Sequence, residues 1–250
     1  MQVYVDPSIT HYVDTFVDTL STLQGSSVPV CIGYYHCSEL PEYILYNTEQ
    51  LTRGKSLGDL LKMVKTHPPV EVWDYSLANI SILHTHGIYN TRYVPLTTSP
   101  RMLAKLRSFR TSIEYDFGFN GAMTERREKI INDLLDAGLR VNNVRLWGDE
   151  RDKELAKCKF ILNIHADETY KIFESARCVP WLDIGVPVIS EHSILDDDRC
   201  INTSYESFIQ TCIDYAKKRT YSEGFNDYNT RFLYLCVASL IVTFIYRVSA

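Results

Sequence analysis

The run FILNIHADETYKIFESARCVPWLDIGVPVISE, Phe160 to Glu191, opens and closes on apolar segments, yet between them it carries a histidine, several carboxylates and an arginine. Packing alone has no use for such groups, and an unpaired amide buried in a run like this costs about 1–3 kcal/mol. Asn163 and His165 occupy alternate positions at the end of FILNIH, so both point to one face of a sheet at its carboxyl edge. Each reads either as a satisfied core group or as a ligand contact. Glu174 and Arg177 stand three apart on an expected helix, Tyr170 to Ile184, and share one of its faces. As a surface pair they would contribute under ~1 kcal/mol. At a cleft, the carboxylate suits sugar hydroxyls and the guanidinium suits phosphate.

Phe117 to Ala122, FGFNGA, places a glycine turn between a strand and a helix opening TERR. Exposed backbone N–H groups and the positive end of the helix make that turn a candidate dock for a diphosphate, centred on Gly121. Arg126 and Arg127 oppose the helix dipole by a few tenths of a kcal/mol unless an anion offsets it. The plainer alternative is a helix start with surface arginines. Asp196, Asp197 and Asp198 offer the carboxylates a divalent cation needs. With no histidine or helix behind them they read as a solvated acidic loop, and no metal is assigned. In the first half, Tyr46 to Gln50 and Trp73 to Ser76 follow strands. Glu49 is the carboxylate best placed for a general base. Asn47, Gln50 and Tyr75 are candidates for acceptor hydrogen bonds, and so is Asp74, although Asp74 and Ser76 read first as caps for the helix beginning at Leu77.

These groups need a scaffold, and the periodicity supplies one. QVYVD, VPVCIGYY, EYILYN, VEVWDY and TRYVPL read as strands, with helices over Tyr12–Leu23, Ser56–Val64 and Leu77–His86. Residues 1–96 thus form one small Rossmann-like domain, and 97–112, with a proline and little strand signal, read as a connection. Over 113–220 the alternation restarts. YDFGFNG, LRVNNVRLWG, FILNIH, VPVIS and CINTSY are strands; Thr124–Ala137, Glu150–Cys158, Tyr170–Ile184 and Tyr205–Lys218 are helices. Thr124 is the expected N-cap, with Arg127 at N3, and Gly138 the C-terminal stop. The fold class is α/β: two facing parallel sheets wrapped by helices. Ligands of such sheets bind at the carboxyl edge, where strand order switches, which places function in the residues just after the strands.

Composition narrows the partners. A net charge of −5 and no long cluster of Lys or Arg argue against a nucleic-acid surface. Seven cysteines, odd in number and without zinc-ligand spacing, read as reduced thiols of a cytoplasmic protein. MQVYVDPSITHY lacks the basic start and apolar run of a signal peptide. Residues 221–250 carry the apolar run FLYLCVASLIVTFIY, Phe232 to Tyr246. It is shorter than the ~20 residues of a membrane span and reads as a closing helix ahead of a membrane attachment.

The segments YILYNTEQL, VWDYSLANISIL followed by YVPL, FNGAMTERREKII, WGDERDKELAKCKFILNIH and IFESARCVPWLDIGVPVISE, in this order, resemble a short GT-B glycosyltransferase. The resemblance is to the small cytosolic enzymes of bacteria and large DNA viruses, and covers Tyr43 to Glu191. It implies transfer of a sugar from a nucleotide-sugar donor on the second domain to a glycan or other hydroxyl acceptor on the first, with no essential metal and no cofactor. By position it puts Gly121 and Arg126 or Arg127 against the diphosphate, with Asn163, His165, Glu174, Arg177 and Glu191 lining the donor pocket. Asn47, Gln50, Asp74 and Tyr75 fall on the acceptor side, and Glu49 or His165 is the candidate base. The chain departs from the family in three respects: Pro180 stands where many members carry a second glutamate on this helix, the chain is short for the fold, and an apolar tail takes the place of the family's final helix that crosses back to the first domain. The alternatives are a non-catalytic nucleotide- or sugar-binding protein of the same fold, or a membrane-attached scaffold.

Overall fold

Alternating apolar and amphipathic runs fold into two parallel five-stranded sheets and eight α-helices in a computed structural model that describes residues 1–23 and 25–218. The first sheet takes β1 (Val3–Val5), β2 (Val30–Ile32), β3 (Ile44–Asn47), β4 (Glu71–Asp74) and β5 (Thr91–Tyr93) in the order β1-β2-β3-β4-β5. The helices between them are α1 (Asp14–Thr22), α2 (Gly54–Thr66) and α3 (Leu77–Thr85), with a 3-10 turn at Cys37–Glu39. Alternate strand residues face opposite ways, so both sides are buried. Val30, Ile32, Ile44, Tyr46 and Trp73 pack on Phe16 and Leu20 of α1. Cys31, Leu45 and Val72 pack on Leu60 and Met63 of α2 and Leu83 of α3.

The connection at 97–112 is not a plain loop, for α4 (Pro100–Phe109) occupies most of it. Ser99 caps α4 by accepting from the Met102 N–H at 3.2 Å, and Pro100 sits in the first turn, where its missing N–H is harmless. Leu106 fastens the helix to the second sheet's core. That sheet comprises β6 (Tyr115–Asn120), β7 (Val141–Val144), β8 (Cys158–Asn163), β9 (Val188–Glu191) and β10 (Ile201–Thr203). Its helices are α5 (Glu125–Asp136), α6 (Gly148–Ala156), α7 (Ser175–Asp183) and α8 (Phe208–Lys218). The order β10-β9-β8-β6-β7 reverses between β6 and β8, a switch point the first sheet lacks. Both sheets lie in one unit, Met1–Ile213; a second unit begins at Asp214, and of it only the end of α8 is described.

Helix α5 keeps the caps expected of it, and two other boundaries move for identifiable reasons. The α5 start follows its N-cap, Thr124, which accepts from the Arg127 N–H, and Gly138 takes φ +80° just past the end. Helix α6 stops at Ala156, because Cys158 is drawn into β8: a side chain at Gly118 of β6 would lie 2.7 Å from the Cys158 sulfur. Helix α7 is the larger change. Tyr170 to Phe173, expected within it, are irregular, because Ile172 is buried in the first sheet's core and its N–H donates to Gln50 Oε1 at 3.0 Å. Glu174 therefore sits at the N-cap of α7 rather than inside it. Among the described residues no helix is long and apolar enough to cross a membrane. The run Phe232 to Tyr246 lies outside the described residues.

Candidate functional site

A cleft of about 280 Å³ opens where the carboxyl ends of the two sheets approach each other. The first sheet contributes Thr48, Glu49, Gln50 and Arg53 after β3 and Tyr75 after β4, with Tyr12 and Phe16 from the α1 region. The second contributes Asn120 at the end of β6, Gly121 and Ala122 after it, and Glu174, Ser175, Ala176 and Arg177 around the start of α7, so its share lies at the β6/β8 switch point. Trp147 and Arg151 complete it from the start of α6. Trp147 is half exposed, its ring edge-on to His11 with centroids 4.7 Å apart.

The β6–α5 turn is built around a missing side chain. A Cβ at Gly121 would stand 2.8 Å from Arg177 Nη2, 3.0 Å from the Phe119 ring and 3.3 Å from Arg127 Nη1. Only glycine leaves the turn's backbone beside the guanidinium. Neither the Gly121 nor the Ala122 N–H has an acceptor among the described residues. Under the turn, the Phe119 ring supports two guanidinia, Arg127 at 5.3 Å and Arg177 at 5.2 Å from its centroid. Glu174 lies between them, pairing with Arg127 Nη2 at 3.0 Å through one oxygen and with Arg177 Nη2 through the other. Arg177 also donates to Asn163 Oδ1 at 3.2 Å.

Arg127 is buried, and its remaining donors go to the carbonyls of Ile164 and Ala122 at 2.9 and 2.8 Å. Burial pulls its guanidinium down to about 10, with Glu174 holding against that, and it stays protonated at neutral pH. It does not line the cleft. Nor does Arg126, which makes two 2.6 Å hydrogen bonds to the carboxylate of Glu191 and stacks 3.7 Å over the Tyr205 ring. Of the arginines singled out from the sequence, Arg177 alone faces the cleft.

The other sequence-derived candidates divide the same way. Asn163 is fully buried and donates to Ser190 Oγ at 3.0 Å, so it reaches the cleft only through Arg177. His165 is buried away from the cleft: its N–H donates to Glu191 at 2.6 Å and its Nε2 lies 3.1 Å from the His192 carbonyl. Glu191 is thus held by Arg126 and His165 beneath the second sheet's edge. On the first sheet Glu49 and Tyr75 line the cleft, whereas Asn47 and Asp74 are buried behind it. Gln50 bridges to Ile172 while also lining the wall. Ser76, not Asp74, caps α3 by accepting from Asn79. Asp196 accepts from Ser193 and His192, and Asp197 pairs with Arg199 at 2.7 Å; among the described residues no group of three or more metal-binding side chains is assembled.

Sequence reasoning missed Arg53, Arg151, Trp147 and Tyr170. Arg53 lies 4.4 Å over the Tyr170 ring, and Arg151 pairs with Asp14 at 2.7 Å. Both contacts join segments more than a hundred residues apart in sequence, which no local pattern announces. A third such contact has a readable cause. Pro180 inside α7 has no N–H for the Ala176 carbonyl, and the Thr15 hydroxyl donates to that carbonyl instead at 3.1 Å.

No family model matches the chain, and no solved structure matches it. It is similar to uncharacterized protein L140 of Acanthamoeba polyphaga mimivirus, 34% identical over 173 residues, which is 68% of this chain and 54% of that protein. Uncharacterized protein L138 of the same virus is 35% identical over 154 residues, 60% of this chain and 17% of that protein. Uncharacterized protein R358, also of that virus, is 25% identical over 246 residues, covering 87% of this chain and 84% of its own length. The chain spans about half the length of L140 and less than a fifth of L138.

Proposed function

We propose that the protein is a GT-B-type glycosyltransferase that moves a sugar from a nucleotide-sugar donor to an acceptor hydroxyl without an essential metal. The observation that carries this reading is the turn at the second sheet's switch point, where the unpaired Gly121 and Ala122 N–H groups stand beside Arg177 and face Glu49 across the cleft. In this reading those donors hold the diphosphate, and they matter most as the bond from the sugar's anomeric carbon to the leaving oxygen breaks and negative charge develops there. The acceptor oxygen forms the new bond, and its proton passes to the Glu49 carboxylate. Arg126, which is partly exposed, and the buried Arg127 act through the residues they hold.

A second reading, a nucleotide- or sugar-binding protein without turnover, has its own support. Glu174 is shared between two arginines, and Pro180 replaces the second glutamate of the resembled family, so the one carboxylate is engaged and the other is missing. Thermal stability against UDP, GDP, CDP, ADP and dTDP, with and without Mn²⁺, tests both. One diphosphate at 100 times its dissociation constant should stabilise by about 2.7 kcal/mol without metal. Arg177→Ala should abolish that gain. Stabilisation together with hydrolysis or transfer across a panel of donor sugars supports the transferase, and stabilisation without turnover supports the binding protein. No stabilisation by any diphosphate sinks the transferase and the nucleotide-binding protein.

A further inference from the structure

Asp74, the last residue of β4, is fully buried, and its four hydrogen-bond donors are all uncharged. Asn47 Nδ2 lies 2.7 Å from one carboxylate oxygen, Asn79 Nδ2 and the Ser76 N–H lie 3.0 and 2.8 Å from the other, and the Tyr75 N–H also donates. Both asparagine amides have a second task. Each donates to the carbonyl of Glu49 at 2.9 Å, while Asn47 Oδ1 accepts from the Glu49 N–H at 3.1 Å and Asn79 Oδ1 accepts from the Leu51 N–H at 2.9 Å. An ionised carboxylate can only accept. It therefore obliges both amides to turn their NH₂ groups inward, which leaves their oxygens for the loop. A proton on Asp74 would confront one of those donors, and turning an amide to receive it would set NH₂ against a loop N–H.

We propose that Asp74 is a positioning residue of the cleft: as an anion it orients Asn47 and Asn79, they hold the loop Thr48–Leu51 by its N–H and C=O groups, and Glu49 is thereby presented to the ligand. The transferase reading enters only in the consequence for chemistry; the clamp is a property of the chain alone. The ionisable groups facing Asp74 are Tyr34 after β2, Tyr46 on β3, Tyr75 next to it, Tyr93 on β5, and Glu49 itself through the shared amides; α3 presents Asn79. Burial, with the Asp74 charge adding to it, raises the four tyrosines above their ordinary value and keeps them neutral. Burial also pushes Asp74 up to about 7, against the pull of its four donors, so the clamp should open within an ordinary buffer range.

The test is residue-resolved amide hydrogen exchange at pH 6 and pH 8, corrected for intrinsic rates, with the amides of β3 and β4 as internal reference. In the native chain the Glu49 and Leu51 amides should lose about tenfold or more in protection at pH 6, while the reference strands hold. In Asp74→Asn, whose own amide cannot accept from both neighbours, that protection should be low at both pH values. Equal protection of the loop at the two pH values in the native chain, or a folded Asp74→Asn with unchanged protection, overturns the proposal; if the variant does not fold, the native chain's pH dependence decides alone. In a transfer assay the variant should lower kcat by about 10- to 100-fold and leave the donor KM unchanged. A confirmed clamp in a protein that turns over no donor would sink the transferase reading and leave the positioning role standing.

Discussion

On the edge of the first sheet a lone carboxylate, Asp74, is buried among neutral amides, whereas on the edge of the second a carboxylate, Glu174, is shared by two guanidinia. The first arrangement holds negative charge that water would have solvated better; the second leaves one positive charge in excess beside an open glycine turn. A carboxylate held by neutral donors gives geometry at the expense of stability, because four oriented dipoles do not replace bulk water around an ion. A carboxylate held by arginines supports its wall, since removing Glu174 would leave two guanidinia side by side without a counter-charge. The two walls thus use one kind of side chain for opposite ends.

The sharpest way to break the comparison is Arg127→Met. It leaves Glu174 paired with Arg177 but strands the Ile164 and Ala122 carbonyls without their donor, and at about 1–3 kcal/mol for each should lower stability by about 3–5 kcal/mol in urea denaturation. A loss under about 1 kcal/mol would show that the second wall is not built on that guanidinium.

Next in size is the pH response of the first wall. The Asp74 carboxyl titrates at about 7 in the folded protein and at about 3.8 when exposed, so the folded state binds this proton more tightly. The group's contribution to stability is therefore largest at acid pH, falls as pH rises from about 4 to about 7, and levels off above, by up to about 4 kcal/mol. Asp116 and Asp197, whose carboxyls are lowered, act in the opposite sense, and the difference between the native chain and Asp74→Asn cancels them. The stability of the native chain minus that of Asp74→Asn should rise towards acid pH by that amount; a flat difference would mean that burial does not disfavour the carboxylate. The smallest effect is expected from Gly121→Ala, about 1–3 kcal/mol from crowding against Arg177 and Phe119. Its diagnostic consequence is loss of diphosphate stabilisation, and a variant that still responds to a diphosphate would remove the turn from the site.

The fold was legible wherever a local pattern carried it. Thr124, Gly138 and the alternation in β3 and β4 placed their elements from sequence, and α4 could have been placed from Ser99-Pro100 and its spaced apolar residues. The site was legible only as far as the edges that hold it. Arg126, Arg127, Asn163, His165 and Glu191 do follow strands, but which of them faces the cleft depends on partners far away in sequence, such as Tyr205 for Arg126 and His192 for His165. The irregular stretch Tyr170–Phe173 was unreadable for the same reason: its helical spacing is real, and burial of Ile172 in the other sheet's core outweighs it.

The strand orders carry a consequence for how the chain reaches this state. In the first sheet every strand pairs with its neighbour in sequence, so the sheet can grow one strand at a time as residues 1–93 become available. In the second, β8 must find β6 after β7 has already taken the other side, through pairs such as Phe117 with Phe160. That is the longest loop closed by any strand pairing among the described residues, and its entropy must be spent before the contacts reward it. The same reversal that opens a crevice at the β6/β8 edge should therefore make the second sheet the slower half to assemble, with the first already in place as its template.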